Sequence, residues 1–256
     1  MQHLLTPEGD LALVALLRQH PLMAFDFDGT LAPIVARPDD ARISQAVASR
    51  MRALAQRLPV AIVTGRSIAD VRERLGFEPR FIVGNHGAED DAGPDDAAAL
   101  VGALDDLRRS LNRRTDDLKK TGVTVEDKGL SIALHYRLAR DRVQASAMIA
   151  ELLADVASSL HVFAGKMVVN VTAAQAPDKA CAVRSLVDRC GAASAFFAGD
   201  DVNDEVVFVS APAHWLTLRV GREDPACQAR FCIDGQQEMA MMLERILSLH
   251  APAQAG

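Results

Sequence analysis

An open α/β sheet carrying a smaller inserted α+β unit is the architecture expected of this sequence. Three observations predict it: four short apolar runs that each end in polar or glycine residues, helical periodicity between them, and a central stretch where that alternation stops. The runs are residues 22–28, 60–64, 81–84 and 195–199. Each is continuous enough to be a parallel strand buried on both faces. Residues 43–56 and 68–75 place apolar side chains three and four apart, the spacing of one helix face.

The middle of the chain reads differently. The turn formers Gly93-Pro94-Asp95-Asp96 open a long amphipathic helix predicted to reach about Lys120. Two alternating segments follow, 123–127 and 130–137, and fit an antiparallel pair turning at Lys128-Gly129. A helix over 141–158 then leads to strands at 162–166 and 167–172. Helix, strand, strand occurs twice, which predicts an αββαββ insert over residues 91–174, leaving 1–90 and 175–256 as the larger unit. Beyond residue 208, two strands and a helix over 236–249 complete the expected elements.

A chain of 256 residues, 49% of them hydrophobic, can bury a medium core and a companion core. Its net charge of −6 and lack of a dense Lys/Arg block argue against nucleic acid as a partner. The apolar stretch at residues 11–17 is too short to span a bilayer and is followed by Arg18 and His20, so a soluble, cytoplasmic protein without a membrane partner is expected. Cys181, Cys190, Cys227 and Cys232 lack ligand or disulfide spacing and read as reduced, mostly buried thiols. Trp215 and Tyr136 read as packing residues, and oligomeric state has no signature here.

In an open α/β sheet the ligand crevice lies outside the carboxyl ends of the strands, so the polar residues closing each apolar run belong to one rim. They are Asp26, Asp28, Gly29 and Thr30; Thr64, Gly65 and Arg66; Asn85, His86 and Gly87; and Asp200, Asp201 and Asp204. Asp26 and Asp28 are two apart, so an extended chain points both to one side while Phe25 and Phe27 face the other. Carboxylates gathered this closely repel, and a hard divalent cation with oxygen ligands, Mg²⁺, resolves the repulsion and lets an acidic crevice accept a phosphate. A carboxylate attacking phosphorus forms an aspartyl-phosphate, with a second carboxylate as proton donor and then base. Lys179, at the start of a helix predicted after Pro177-Asp178, and the Thr64 hydroxyl supply charge and hydrogen bonds to phosphoryl oxygens.

These residues resemble a known superfamily. Asp26-Phe-Asp-Gly-Thr-Leu31, Thr64-Gly-Arg66, Lys179 and Gly199-Asp-Asp-Val-Asn-Asp204 look like the four motifs of the haloacid dehalogenase (HAD) superfamily, in order and spacing. More narrowly, Thr30-Leu-Ala-Pro-Ile34, Gly84-Asn-His-Gly-Ala88, His135-Tyr-Arg137 and Gly165-Lys-Met-Val-Val169 resemble the trehalose-6-phosphate phosphatases. The resemblance implies a Rossmann-like core with a cap, Asp26 as nucleophile, and Asp28 as acid/base that also gives its backbone carbonyl to Mg²⁺. It implies Asp200 as the remaining direct metal ligand, with Asp201 and Asp204 supporting the metal shell or orienting Lys179. Glu126, Lys128, His135, Arg137, Gly165 and Lys166 fall where the family's cap meets sugar and phosphate, alongside Gly65, Arg66, Asn85 and His86 from the core.

The chain departs from that pattern at Asn170, where the family carries a sugar-contacting Glu, at Thr172-Ala173 in place of Arg-Pro, and at Ala180 in place of Gly. Asn still donates and accepts hydrogen bonds, so the departure bears on the sugar more than on phosphoryl transfer. Plainer readings stand beside these. Arg66 suits a neighbouring carboxylate as well as a ligand, His86 suits a buried hydrogen-bonded site, and a solvated sheet face accommodates Glu126, Lys128, His135 and Arg137. Competing activities are hydrolysis of another sugar phosphate, a phosphomutase, and a phospho-receiver domain, the last disfavoured by Gly-Thr after the Asp pair and by the insert.

Overall fold

The structure is a computed structural model describing all residues except 36, 92–96, 155, 157, 223–224 and 251–256. The proposed opening of the insert at Gly93-Pro94-Asp95-Asp96 lies outside the described residues. In chain order, β1 (Gln2–His3), α1 (Pro7–Leu17), β2 (Leu22–Phe25), α2 (Gln45–Ala55), β3 (Val60–Val63), α3 (Ile68–Leu75), β4 (Phe81–Gly84) and β5 (Glu89–Asp90) come first. Then follow α4 (Ala97–Ala103), α5 (Asp105–Arg113), α6 (Thr115–Thr121), β6 (Thr124–Asp127), β7 (Ser131–His135), α7 (Arg142–Leu153), β8 (Leu160–Gly165) and β9 (Val168–Ala173). The chain closes with α8 (Lys179–Cys190), β10 (Ala195–Gly199), α9 (Glu205–Ser210), β11 (Leu216–Val220), β12 (Phe231–Ile233) and α10 (Met239–Leu249).

The larger sheet runs β1-β12-β11-β10-β2-β3-β4-β5 and is parallel except for β5. All four residues of β2 and of β3 are buried, as expected for strands covered on both faces. Alternate side chains divide between two cores: Phe25 and Ile62 pack with Leu13, Met51 and Ile246, whereas Ala24 and Val63 pack with Val183, Leu186 and Phe208. Trp215 belongs to the second core. The smaller sheet runs β6-β7-β9-β8, antiparallel throughout, and packs Ile132, Leu134 and Val171 against Leu107, Leu111 and Ile149.

The helix expected to run to Lys120 is three short ones. Leu104 and Arg114 leave the ideal helical conformation, with Arg114 at φ −105° and ψ 14°, and Leu104, Leu107, Leu111 and Leu118 along the broken helix all pack in the small sheet's core. The helix expected to end at 158 stops at Leu153, and the final helix starts at Met239 after a 3₁₀ turn over Gln236–Glu238. No helix among the described residues is long and apolar enough to cross a membrane. The four cysteines are unpaired, two of them buried and Cys181 exposed.

Candidate active site

β2 and β10 lie side by side at the middle of the large sheet, and their ends build the floor of the site. Past the end of β2, the Asp26 N–H still donates to Ala198 O at 2.9 Å, which holds Asp26 at strand-like precision. Phe25 and Phe27 are fully buried, so both flanks of Asp26 are anchored in the core. Gly29 then turns the chain at φ +78°, and any side chain there would run into the Asp200 carboxylate. That close approach lets acids 174 positions apart in sequence share one recess.

Two lysines enter this recess. Lys179 opens α8, whose first turn is capped by Asp178 accepting from Cys181 N at 2.8 Å. Its Nζ donates to Asp26 Oδ1 at 3.0 Å and to Asp204 Oδ1 at 2.7 Å. Burial alone would push this ammonium down, but the Asp204 and Asp26 charges outweigh it and hold the group above its usual range. Lys166, from the β8–β9 turn of the small sheet, donates to Asp200 Oδ2 at 2.6 Å. Asp204 also accepts from the Asp200 and Asp201 amides at 2.9 and 3.0 Å, so it braces the loop that carries both acids. Asp201 accepts from the Lys166 amide at 3.0 Å.

Carboxylates still outnumber the cations that reach them. Burial raises Asp26 well above the usual carboxylate range, and Lys179 only partly offsets this against the Asp204, Asp200 and Asp28 charges. Burial likewise raises Asp200 to about 7, against the pull of Lys166. Oxygens of Asp26, Asp200 and Asp204 lie within 4.8 Å of one another. An all-oxygen donor set in a buried, net-acidic recess suits a hard divalent cation, whose charge would stabilise the ionised acids.

Asp28 sits at the recess edge with its side chain 41% exposed. Arg66 grips it with two hydrogen bonds, Nε to Oδ2 at 2.7 Å and Nη2 to Oδ1 at 2.8 Å. Arg66 also donates to Asp70 Oδ2 at 2.6 Å and Pro38 O at 2.9 Å, and lies over the Phe27 ring. Most of its donors are thus engaged within the protein, the plainer of the two readings of this residue. Thr64 Oγ1 accepts from the Arg66 amide at 3.2 Å, which leaves its own proton available.

The small sheet lies over this floor. Lys128 Nζ donates to Gly65 O at 3.0 Å, Ser131 Oγ to Asn85 Oδ1 at 2.6 Å, and the Phe163 ring meets the His86 ring edge-on at 4.9 Å. Between the layers lies a cavity of about 520 Å³. Asp26, Asp28, Lys179, Asp200 and Asp201 line its floor, with Gly65, Arg66 and His86 beside them. Glu126, Lys128, His135, Arg137, Lys166 and Asn170 line the roof. Thr64, Asn85, Gly165 and Asp204 stand behind the wall rather than on it. Glu126 faces two basic groups: His135 Nε2 lies 2.8 Å from its Oε2 and Lys128 Nζ 3.6 Å. Burial would raise Glu126, but these two neighbours hold it below its ordinary value. Arg137 donates to Lys166 O at 3.0 Å, fixing the turn that carries that lysine.

Ile34, Val35, Val125, Leu138 and Val168 add apolar wall; Ile34 and Val168 belong to stretches already noted for their resemblance, whereas Val35, Val125 and Leu138 were not singled out. For Val35, Val125 and Leu138 the only sequence signal is adjacency to candidate site residues or motif residues on a strand or loop. Asp70, which pins Arg66 and Arg74, and Glu89, which accepts from Asn85 Nδ2 at 2.7 Å and Ile68 N at 2.9 Å, were also invisible as site-supporting acids.

The trehalose-phosphatase family profile matches residues 24–228, which includes both sheets' site residues. The chain belongs to the trehalose-phosphatase family. It is 34% identical over 247 residues to a trehalose-phosphate phosphatase of Mycobacterium avium, covering 89% of this chain and 62% of that one. An uncharacterized glycosyl hydrolase of Mycobacterium tuberculosis is 34% identical over 201 residues, covering 74% of this chain and 15% of that one. The chain therefore spans less than two thirds of the length of these relatives. Among solved structures, a trehalose-6-phosphate phosphatase related protein superposes with TM-score 0.72 at 25% identity, covering 89% of this chain and 97% of that one. The C-terminal domain of the C. albicans trehalose-6-phosphate phosphatase does so with TM-score 0.77 at 22% identity, covering 95% and 96%, a likeness of fold. Members of this HAD-type family typically use a metal, in accord with the carboxylate recess described above.

Proposed function

We propose that this chain hydrolyses a phosphorylated disaccharide, trehalose 6-phosphate, to trehalose and inorganic phosphate through an aspartyl-phosphate on Asp26. The observation that carries this reading is the Asp26–Lys179 pair, at 3.0 Å, set beside Asp200 on the floor of a cavity roofed by polar side chains of the insert. The insert, residues 91–174, is taken as the cap.

In the first half-reaction an Asp26 oxygen attacks phosphorus, the ester P–O bond breaks, and the departing sugar alkoxide takes a proton from Asp28. In the second, Asp28 removes a proton from water, the hydroxide attacks the phosphoryl group, and the Asp26–phosphorus bond breaks to restore the carboxylate. Arg66 orients the Asp28 carboxylate through two hydrogen bonds, the form in which it acts as base in the second half. Lys179 neutralises phosphoryl charge and helix α8 adds its N-terminal dipole, while Thr64, just behind the cavity wall, offers a hydroxyl proton to a phosphoryl oxygen that reaches it. Asp26, the Asp28 carbonyl and Asp200 would hold Mg²⁺, with Asp201 and Asp204 behind them; bound there, it lowers repulsion between phosphate and carboxylates and stabilises the transition-state charge. The apolar wall at Ile34, Val35, Val125 and Leu138 suits the C–H faces of sugar rings, and Glu126, Lys128, His135, Arg137 and Asn170 suit their hydroxyls. Unpaired cysteines accord with a reducing, cytoplasmic setting.

A second reading, a phosphatase for another sugar phosphate, is favoured by one residue: Asn170, 3% exposed and on the cavity wall, stands where the family carries an acid. Phosphate release from trehalose 6-phosphate, sucrose 6-phosphate and glucosyl phosphoglycerate, with and without Mg²⁺, separates the two. Preference for trehalose 6-phosphate, abolished by chelation and restored by Mg²⁺, is expected. Steady turnover of none of them would remove the phosphatase reading, and preference for another sugar would replace the substrate.

A further inference from the structure

The turn after β4 is strained and buried. Asn85 and His86 are consecutive non-glycine residues at φ +48° and +61°, 1% and 8% exposed. Each left-handed residue of this kind persists only where its surroundings over-determine it. Here the surroundings are explicit. Asn85 N donates to Arg66 O at 2.8 Å, His86 N to Thr64 O at 2.9 Å, and Ala88 N to Asn85 O at 3.2 Å. Gly87, at φ +120°, lies so close to Pro177 O and Asp178 O that a side chain would collide with the segment leading into Lys179. The turn thus touches the backbone of Thr64, Arg66 and Lys179's helix cap at once.

The Asn85 side chain reports on what lies above it. Its Nδ2 donates to Glu89 Oε2 at 2.7 Å, and a carboxylate only accepts, so the amide orientation is set and Oδ1 points away as an acceptor. The partner of Oδ1 is Ser131 Oγ at 2.6 Å, the first residue of β7 and 1% exposed. Ser131 pairs with Thr172 of β9, next to the segment carrying Asn170, so its position follows the small sheet as a body. The same sheet sets Phe163 against the His86 ring. Neither His86 ring nitrogen has a well-formed hydrogen bond, yet the ring is buried and lines the cavity near Asn170. A buried ring facing a polar cavity without a well-formed partner keeps hydrogen-bonding capacity for a ligand atom.

We infer that Ser131 is a positioning residue: by donating to Asn85 when the small sheet lies on the core, it fixes the 85–86 turn so that the His86 ring presents its nitrogens to the bound sugar phosphate. The role for the ligand rests on the function proposed above, whereas the link from Ser131 to the turn does not. Ser131 is the donor that Glu89 obliges the small sheet to supply. Losing it leaves a buried carbonyl oxygen unpaired beneath the sheet, a defect of about tenfold in an equilibrium constant.

The test is Ser131→Ala, with Ser131→Thr as the variant that keeps the hydroxyl. Ser131→Ala is expected to raise KM for trehalose 6-phosphate about tenfold with a smaller change in kcat, and Ser131→Thr to restore most of it. In a His86→Ala background, Ser131→Ala should add no further loss, because the serine acts through that ring. Hydrogen exchange without substrate should show the His86 and Ala88 amides opening faster in Ser131→Ala by more than any fall in overall stability accounts for. Ser131→Cys, a weaker donor of similar volume, carries the comparison if the alanine variant does not fold. Unchanged exchange at these amides, or full additivity with His86→Ala, overturns the inference. If the wild type releases phosphate from no sugar phosphate, the proposed function falls while the exchange measurement still decides the role of Ser131.

Discussion

Lys166 Nζ lies 2.6 Å from Asp200 Oδ2, so a lysine of the small sheet reaches an acid on the floor of the large one. The Asp200 side chain is 3% exposed and that of Lys166 33%, which puts one end of the pair in the interior and the other at the cavity mouth. The contact ties seating of the small sheet to the charge of the acidic recess. Lys166→Met is expected to raise KM for the sugar phosphate about tenfold, the size of one charged hydrogen bond lost, and to lower kcat less. Steady-state kinetics checks it, and a change confined to kcat would count against a docking role.

Asp26→Asn and Asp28→Asn are each expected to lower phosphate release by at least about a hundred- to ten-thousand-fold, the range of a lost acid or base, with far-UV circular dichroism unchanged. Rapid-quench experiments should trap phosphate on the wild-type protein and not on Asp26→Asn. A loss of only a few-fold at Asp26 would remove it as the nucleophile.

Lys179 holds the acidic recess together. Its side chain is 2% exposed and bridges Asp26 and Asp204, themselves 7% and 0% exposed. Lys179→Met strands two buried carboxylates, so unfolding free energy should fall by about 3–5 kcal/mol in urea titration. Pairing it with Asp26→Asn should recover part of that loss. A decrease under about 1 kcal/mol would mean the recess relaxes to admit water.

His86 gives stability a pH dependence of definite sign. Burial first, then the Lys179 and Lys128 charges, hold its imidazole well below the ordinary 6.5. The folded protein keeps this ring neutral while the unfolded chain takes up a proton below 6.5, so stability falls as pH drops through 6.5. Between pH 5 and 6.5 the wild type should lose stability more steeply than His86→Gln, by up to about 1.4 kcal/mol per pH unit. Equal slopes in urea titrations at several pH values would contradict this.

Asn170→Glu restores the acid common in the family to a wall position beside His86 and Gly165. It should change KM and the ranking of sugar phosphates by more than it changes turnover of a generic phosphomonoester. Equal losses on both substrates would place Asn170 in phosphoryl transfer.

The strand ends were legible because apolar runs and the acids that close them lie together in the chain, as at Phe25-Asp26 and Gly199-Asp200. Lys179 was legible through Pro177-Asp178, which caps its helix. Partnerships between distant segments were not. Nothing near Arg66 in the sequence says that it grips Asp28 rather than a ligand, and nothing near Ser131 points to Asn85, because both contacts arise from how the layers pack. Short elements escaped for a related reason: β1 and β5 have two residues each, too few to show a period, and exist through the neighbours they pair with. The break at Leu104 likewise serves a tertiary surface that local periodicity does not encode.

The position of β2 between β3 and β10 has a consequence for biosynthesis. As the chain leaves the ribosome, β3 arrives soon after β2, but β10 follows only after the whole small sheet has been made. Until then the central strand, uniformly apolar, shows an unsatisfied hydrogen-bonding edge, the kind of surface that recruits chaperones or a second nascent copy. Early folding of the intervening layer, largely from contacts close in sequence, shortens the tether that β10 must close.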